Sequence, residues 1–89
     1  MDFFQAGEMW RAADGRVSRV VSRQDEMWAI DAGGYFAVGR SALECVLTAL
    51  LHSRLPIATS ILDFGCGHGR VARDLRAAFP DAAITFSDV

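Results

Sequence analysis

Apolar positions fall into patterns that predict different elements along the chain. From Ser41 to Ser53, Leu43, Val46, Leu47, Leu50 and Leu51 recur at the spacing of one helix face. Ser41, with Glu44 three residues later, matches a capping box and predicts the helix start. Arg54-Leu55-Pro56 predicts its end, because the residue before proline is pushed out of the α region. Glu44, Thr48 and His52 recur every four residues on another face and read as a solvated stripe. Ser60 to Phe64 and Ala82 to Ser87 are short, mostly apolar runs and read as strands. Between them, Val71, Leu75, Ala78 and Phe79 predict the buried stripe of a helix over 70–79. Its Arg70, Arg73, Asp74 and Arg76 are expected to face water, with Arg70 and Asp74 spaced to pair, and Pro80-Asp81 stops it.

The first forty residues carry weaker patterns. Phe3, Phe4, Met9 and Trp10 suggest an amphipathic helix ending near Asp14-Gly15. Val17, Val20, Val21, Met27, Trp28 and Ile30, interleaved with charges, suggest a second helix over 16–30. Gly33-Gly34 is expected to break it, leaving Tyr35 to Arg40 extended or irregular.

Between the two strand-like runs lies the stretch that organises the rest, Asp63-Phe64-Gly65-Cys66-Gly67-His68-Gly69. Glycine at every second position after a strand has a backbone reason. Without Cβ it reaches positive φ cheaply and lets a ligand approach the main chain, while the next helix's first turn offers unpaired N–H groups. Asp88 stands nineteen positions after Gly69, at the end of the second run. In a strand–helix–strand unit both strand ends reach the same sheet edge, where a carboxylate can accept from two ribose hydroxyls. The seventeen residues from Gly65 to Asp81 suffice for the crossover that parallel strands require.

Asp63 to Gly69, followed by Asp88, resembles the first motif and the acidic ribose motif of class I S-adenosylmethionine-dependent methyltransferases. The dinucleotide fingerprint G-x-G-x-x-G would want glycine at position 70, which is Arg70. The resemblance covers Ser60 to Val89 and extends plausibly over the helix before it. It implies an α/β fold, with N-terminal helices followed by a β-α-β unit of a Rossmann-like parallel sheet that is incomplete within these residues. Residues 1–40 would form a helical or irregular extension, and 41–89 the first part of the methyltransferase domain. Implied cofactor-binding positions are Asp63, Phe64, Gly65, Cys66, Gly67, Gly69 and Asp88, with S-adenosylmethionine as cofactor. Asp63 would accept from the ligand's ammonium group, the loop N–H groups and helix N-terminus would suit its carboxylate, and Asp88 would take the ribose hydroxyls. Alternatively, Asp63 braces the turn by accepting loop N–H groups. Methyl transfer from a sulfonium needs no protein nucleophile, so Cys66 reads as a small filler and His68 as a neutral packing residue. No base and no acceptor pocket are identifiable. In the family, elements before the first strand often fold over the site, so Tyr35, Phe36 and Arg40 either line the pocket mouth or, as we favour, are core aromatics and a solvated arginine.

Composition narrows the classes. Eighty-nine residues make at most one small domain, and family members are much larger, so the chain reads as the N-terminal part of such an enzyme, excised or truncated. All nine basic residues are arginine and the net charge is −2. Without lysine, Walker-A NTPase and pyridoxal-phosphate chemistry are excluded. Scattered arginines give no nucleic-acid stripe. The N-terminus lacks signal-peptide character and no run reads as a membrane span, so a cytoplasmic protein acting on a small molecule is expected. Cys45, His52, Cys66 and His68 lack zinc-site spacing, and no metal is expected. With its first strand central in the family's sheet, the chain alone is expected to expose an apolar edge, self-associate and be catalytically silent. Two other readings stay open: a nicotinamide-dependent oxidoreductase with an atypical glycine turn, and a non-catalytic Rossmann-like remnant that binds a partner.

Overall fold

The computed structural model describes residues 1–25, Trp28 and 32–87, with only the backbone described at Ala32 and Gly33. Among these it is a mixed α/β structure of three helices and a two-stranded parallel sheet: α1 (Phe3–Asp14), α2 (Ala32–Ser53), β1 (Ser60–Phe64), α3 (Ala72–Ala78) and β2 (Ala83–Ser87).

Helix α1 begins where Asp2 accepts the Gln5 N–H at 2.7 Å, satisfying one of the donors a helix start leaves open. Its Ala6 and Ala13 are buried and Met9 and Trp10 pack on the core, but Phe3 and Phe4 are exposed, contrary to the expected stripe. The helix expected over 16–30 does not form over its first part: residues 17–22 lie in no helix or strand and 23–24 form a turn, while Trp28 is helical. Glu26, Met27, Ala29, Ile30 and Asp31 fall outside the described residues. Helicity there would have placed Val17 and Val20 on neighbouring turns of one face, yet Val17 is buried and Val20 is 82% exposed.

Helix α2 starts at Ala32, so Tyr35 to Arg40 is helical and not irregular, and Ser41 lies mid-helix instead of capping. Gly33-Gly34 sits in the first turn. Roughly 1 kcal/mol of propensity per glycine is outweighed by the packing of the face that follows. Tyr35, Leu43 and Leu47 are buried there, with Phe36, Val46 and Leu50 packed beside the core. By length and composition Gly34–Ser53 is also apolar enough to cross a membrane, contrary to the expectation that no run qualifies, although part of it is buried in this core. After Ser53, Arg54 takes φ 56°, the left-handed conformation that often closes a helix before proline.

The strands pair in parallel register, from Ser60 opposite Ala83 to Phe64 opposite Ser87. Ile61 and Ile84 pack on the core, whereas Leu62 and Phe64 stand out on the other side of β1. Helix α3 is shorter than expected and differently oriented. Leu75, Ala77, Ala78 and Phe79 are core, but so is Asp74, which is fully buried where it was expected in water. It faces Gly39 of α2, whose missing side chain permits the approach: a Cβ there would meet Asp74 Oδ2 and lie 2.6 Å from the Arg70 carbonyl oxygen. No Arg70–Asp74 pair forms among the described residues. Arg76 is exposed, as expected, and donates to the carbonyls of Pro80 at 3.0 Å and Ala82 at 2.7 Å, so it closes the turn after α3.

Candidate functional site

At the end of β1 the chain runs through Gly65, Gly67 and Gly69 at φ 75°, 53° and 88°. A Cβ at Gly65 or Gly69 would touch nothing, so glycine is required there by the backbone and not by crowding. The turn is fastened to β2 through one atom. The Ser87 carbonyl accepts the N–H groups of Gly65 at 2.5 Å and Cys66 at 3.1 Å, extending the parallel pairing past Phe64. Gly69 N–H closes the loop on the Cys66 carbonyl at 3.0 Å.

The turn-bracing role considered for Asp63 is therefore filled by the Ser87 carbonyl. Asp63 shares the core-facing side of β1 with Ile61, and its Oδ2 is shielded from solvent without a hydrogen-bond partner. An unsatisfied buried acceptor costs about 1–3 kcal/mol. Phe64 is 81% exposed, Cys66 half-buried and His68 exposed. Asp88 lies outside the described residues; its predecessor Ser87 ends the paired strand at the glycine turn.

A side chain expected in water organises the loop. Arg73 donates from Nε to the Gly69 carbonyl at 3.0 Å, from one terminal nitrogen to the carbonyls of Ser18 and Val20 at 3.0 Å each, and from the other to the Tyr35 hydroxyl at 3.2 Å. Its guanidinium lies 5.2 Å from the Tyr35 ring centroid, a cation–π contact. Tyr35 in turn donates to Asp25 at 2.5 Å. Burial, and then that bond, raise the Tyr35 pKa above its usual value, while the Arg73 charge opposes them. Segment 18–25 is thus held against the glycine loop. Neither alternative for Arg40 holds, since it lies 3.6 Å from the Trp10 ring centroid, donates to the Trp10 carbonyl at 2.9 Å and pairs with Asp14.

Gln24 and Asp25 join Gly65, Cys66, Gly67, His68 and Arg70 around a cavity of about 390 Å³. A second hollow, of about 640 Å³, reaches from Gly67 and Gly69 to Arg73, Arg76 and Phe86. A third, of about 280 Å³, lies between α1 and α2 and involves no loop residue. Among the described residues no three His, Cys, Asp or Glu side chains gather as metal ligands. Sequence reasoning found the glycines and missed Gln24, Asp25, Arg70 and Arg73. The four-residue step from Gly69 to Arg73 was a usable signal; nothing near Gln24 marked that segment as loop-covering.

Compared with models of known families, with characterised proteins and with solved structures, the chain finds no match.

Proposed function

We propose that this chain binds S-adenosylmethionine at the glycine turn, as part of a Rossmann-like methyltransferase unit. The observation that carries the reading is the pair of hydrogen bonds from the Gly65 and Cys66 N–H groups to the Ser87 carbonyl, which brings the glycine turn and the end of β2 to one sheet edge. Asp88 follows Ser87 directly in sequence, and its carboxylate is assigned to the ribose hydroxyls. Supporting it are the three glycines at positive φ and a cavity, lined by Gln24, Asp25, His68 and Arg70 beside the turn, whose volume falls within the ~300–1,000 Å³ of ligand sites. Arg70 replaces the third glycine of a dinucleotide turn, which favours the adenosyl ligand over NAD.

The bound cofactor supplies a methyl group already activated by its positive sulfur. The chain's share is to hold the ligand's ends so that methyl and acceptor align, the main lever on an in-line displacement. Phe64, Gly65, Cys66, Gly67 and Gly69 contribute backbone and surface to that grip, with Asp63 behind them. Helix α3 adds little dipole, since its seven residues begin only at Ala72.

Calorimetry on the chain with S-adenosylhomocysteine and with NADH tests the reading. Saturable one-to-one binding of the first alone is expected; binding of NADH alone, or of neither, refutes it.

A further inference from the structure

Helix α1 gives to solvent two side chains that its apolar pattern assigned to a core: Phe3 is 82% and Phe4 68% exposed. Phe3 lines the hollow between α1 and α2, where it joins Ala6, Trp10, Leu47 and Leu51 around about 280 Å³, and Glu44 supplies the one charge in the wall. That volume lies below the ~300–1,000 Å³ of sites for whole ligands and suits a single large side chain. Phe4 and Arg11 lie seven residues apart and so share one stripe of α1. Arg11 folds back over Gly7, another residue of the wall: a Cβ on Gly7 would stand 3.4 Å from Arg11 Nη1. Within one chain the Arg11 guanidinium and the Glu44 carboxylate do not meet, and neither side chain has a hydrogen bond or ion pair among the described residues.

We infer that a second copy of this chain docks here in a two-fold arrangement, with Phe4 of each copy entering the hollow of the other and Arg11 of each meeting Glu44 of the other. A surface that carries both a knob and the hole for it, and both members of an ion pair, meets the requirement of an isologous contact, where every pair occurs twice. Charge decides the occupant. A small cation would satisfy Glu44 and leave Phe4 and Arg11 in water, whereas a second copy satisfies all three. Aromatic and arginine side chains are also the ones enriched at the centre of protein interfaces. The contact uses none of the exposed sheet residues Leu62, Phe64 and Phe86, and it is independent of any cofactor at the glycine turn.

The test is sedimentation equilibrium on the Phe64→Lys chain, in which association through the sheet is suppressed, and on further variants made in that chain. A monomer–dimer equilibrium is expected to persist in the Phe64→Lys chain. Phe4→Ser, Arg11→Glu and Glu44→Arg are each expected to weaken the dimer about tenfold or more, since each change removes its contact twice. An equimolar mixture of the Arg11→Glu and Glu44→Arg chains restores both ion pairs. It is expected to recover the dimer, which also establishes that both variants are folded. A Phe64→Lys chain that is monomeric at every concentration overturns the inference and leaves the hollow to another occupant. Single charge variants that dimerise like their parent, or a mixture that associates no more strongly than its components, overturn it too.

Discussion

The Nε–H of Arg73 donates to the carbonyl of Gly69 at 3.0 Å, so the third glycine of the turn is tied to the first turn of α3 by a side chain as well as by the chain itself. The same guanidinium reaches Ser18, Val20 and Tyr35. An ammonium cannot span those acceptors in one plane. Arg73→Lys is therefore expected to lose about 1.5–3 kcal/mol and to speed amide hydrogen exchange in residues 18–25. Unchanged exchange there would show that the segment is held by something else.

Asp74 is fully buried with neither carboxylate oxygen hydrogen-bonded. Burial raises its pKa above the ordinary 3.8, with Arg40, Arg19 and Arg73 opposing. The folded chain then keeps its proton at pH values where the unfolded chain has lost it. Stability is greatest below the unfolded pKa, falls as pH rises toward the folded pKa, and is level above it. Asp74→Asn cannot ionise and is expected to raise the melting temperature at pH 7 while changing it little near pH 3.5. A lower melting temperature at pH 7 would mean that the charge is stabilised by a partner.

Gly69 has φ 88° and open space where a Cβ would stand. Gly69→Ala should cost only the backbone term, about 1–2 kcal/mol, and Gly69→Asn less, because asparagine tolerates positive φ. Equal losses in the two variants by thermal denaturation would point to crowding.

Leu62 and Phe64 are 66% and 81% exposed on one side of β1, and Phe86 is 53% exposed on β2. Among the described residues β1 pairs only with β2. Sedimentation velocity is expected to show concentration-dependent association that Phe64→Lys weakens. A wild-type chain that stays monomeric at every concentration would contradict this.

Local signals with a backbone cause were legible in the sequence. Ser60–Phe64, the glycine turn, the end of α1 at Asp14 and the halt after Ser53 all follow from residues that allow few conformations. What was missed depends on tertiary packing. Gly33-Gly34 reads as a break, yet α2 runs through it because the Tyr35 to Leu47 face finds a core. Gly39 reads as irregular until Asp74 of α3 and the Arg70 carbonyl just before it are seen pressed against it. Arg73 and Asp74 sit at positions polar by pattern, but α3 is covered on most sides, so the pattern misassigns them. In the site, the glycines were visible from spacing, whereas segment 18–25 and its Asp25–Tyr35 bond carry no local mark at all.

The most direct measurement of the central claim is a two-dimensional amide spectrum of the labelled chain titrated with S-adenosylhomocysteine. The amides of Gly65, Cys66, Gly67, Gly69 and Ser87 are expected to shift together and saturate in step, with those of Gln24 and Asp25 following. Shifts confined to the hollow between α1 and α2, or no shifts at all, would contradict a cofactor site at this turn.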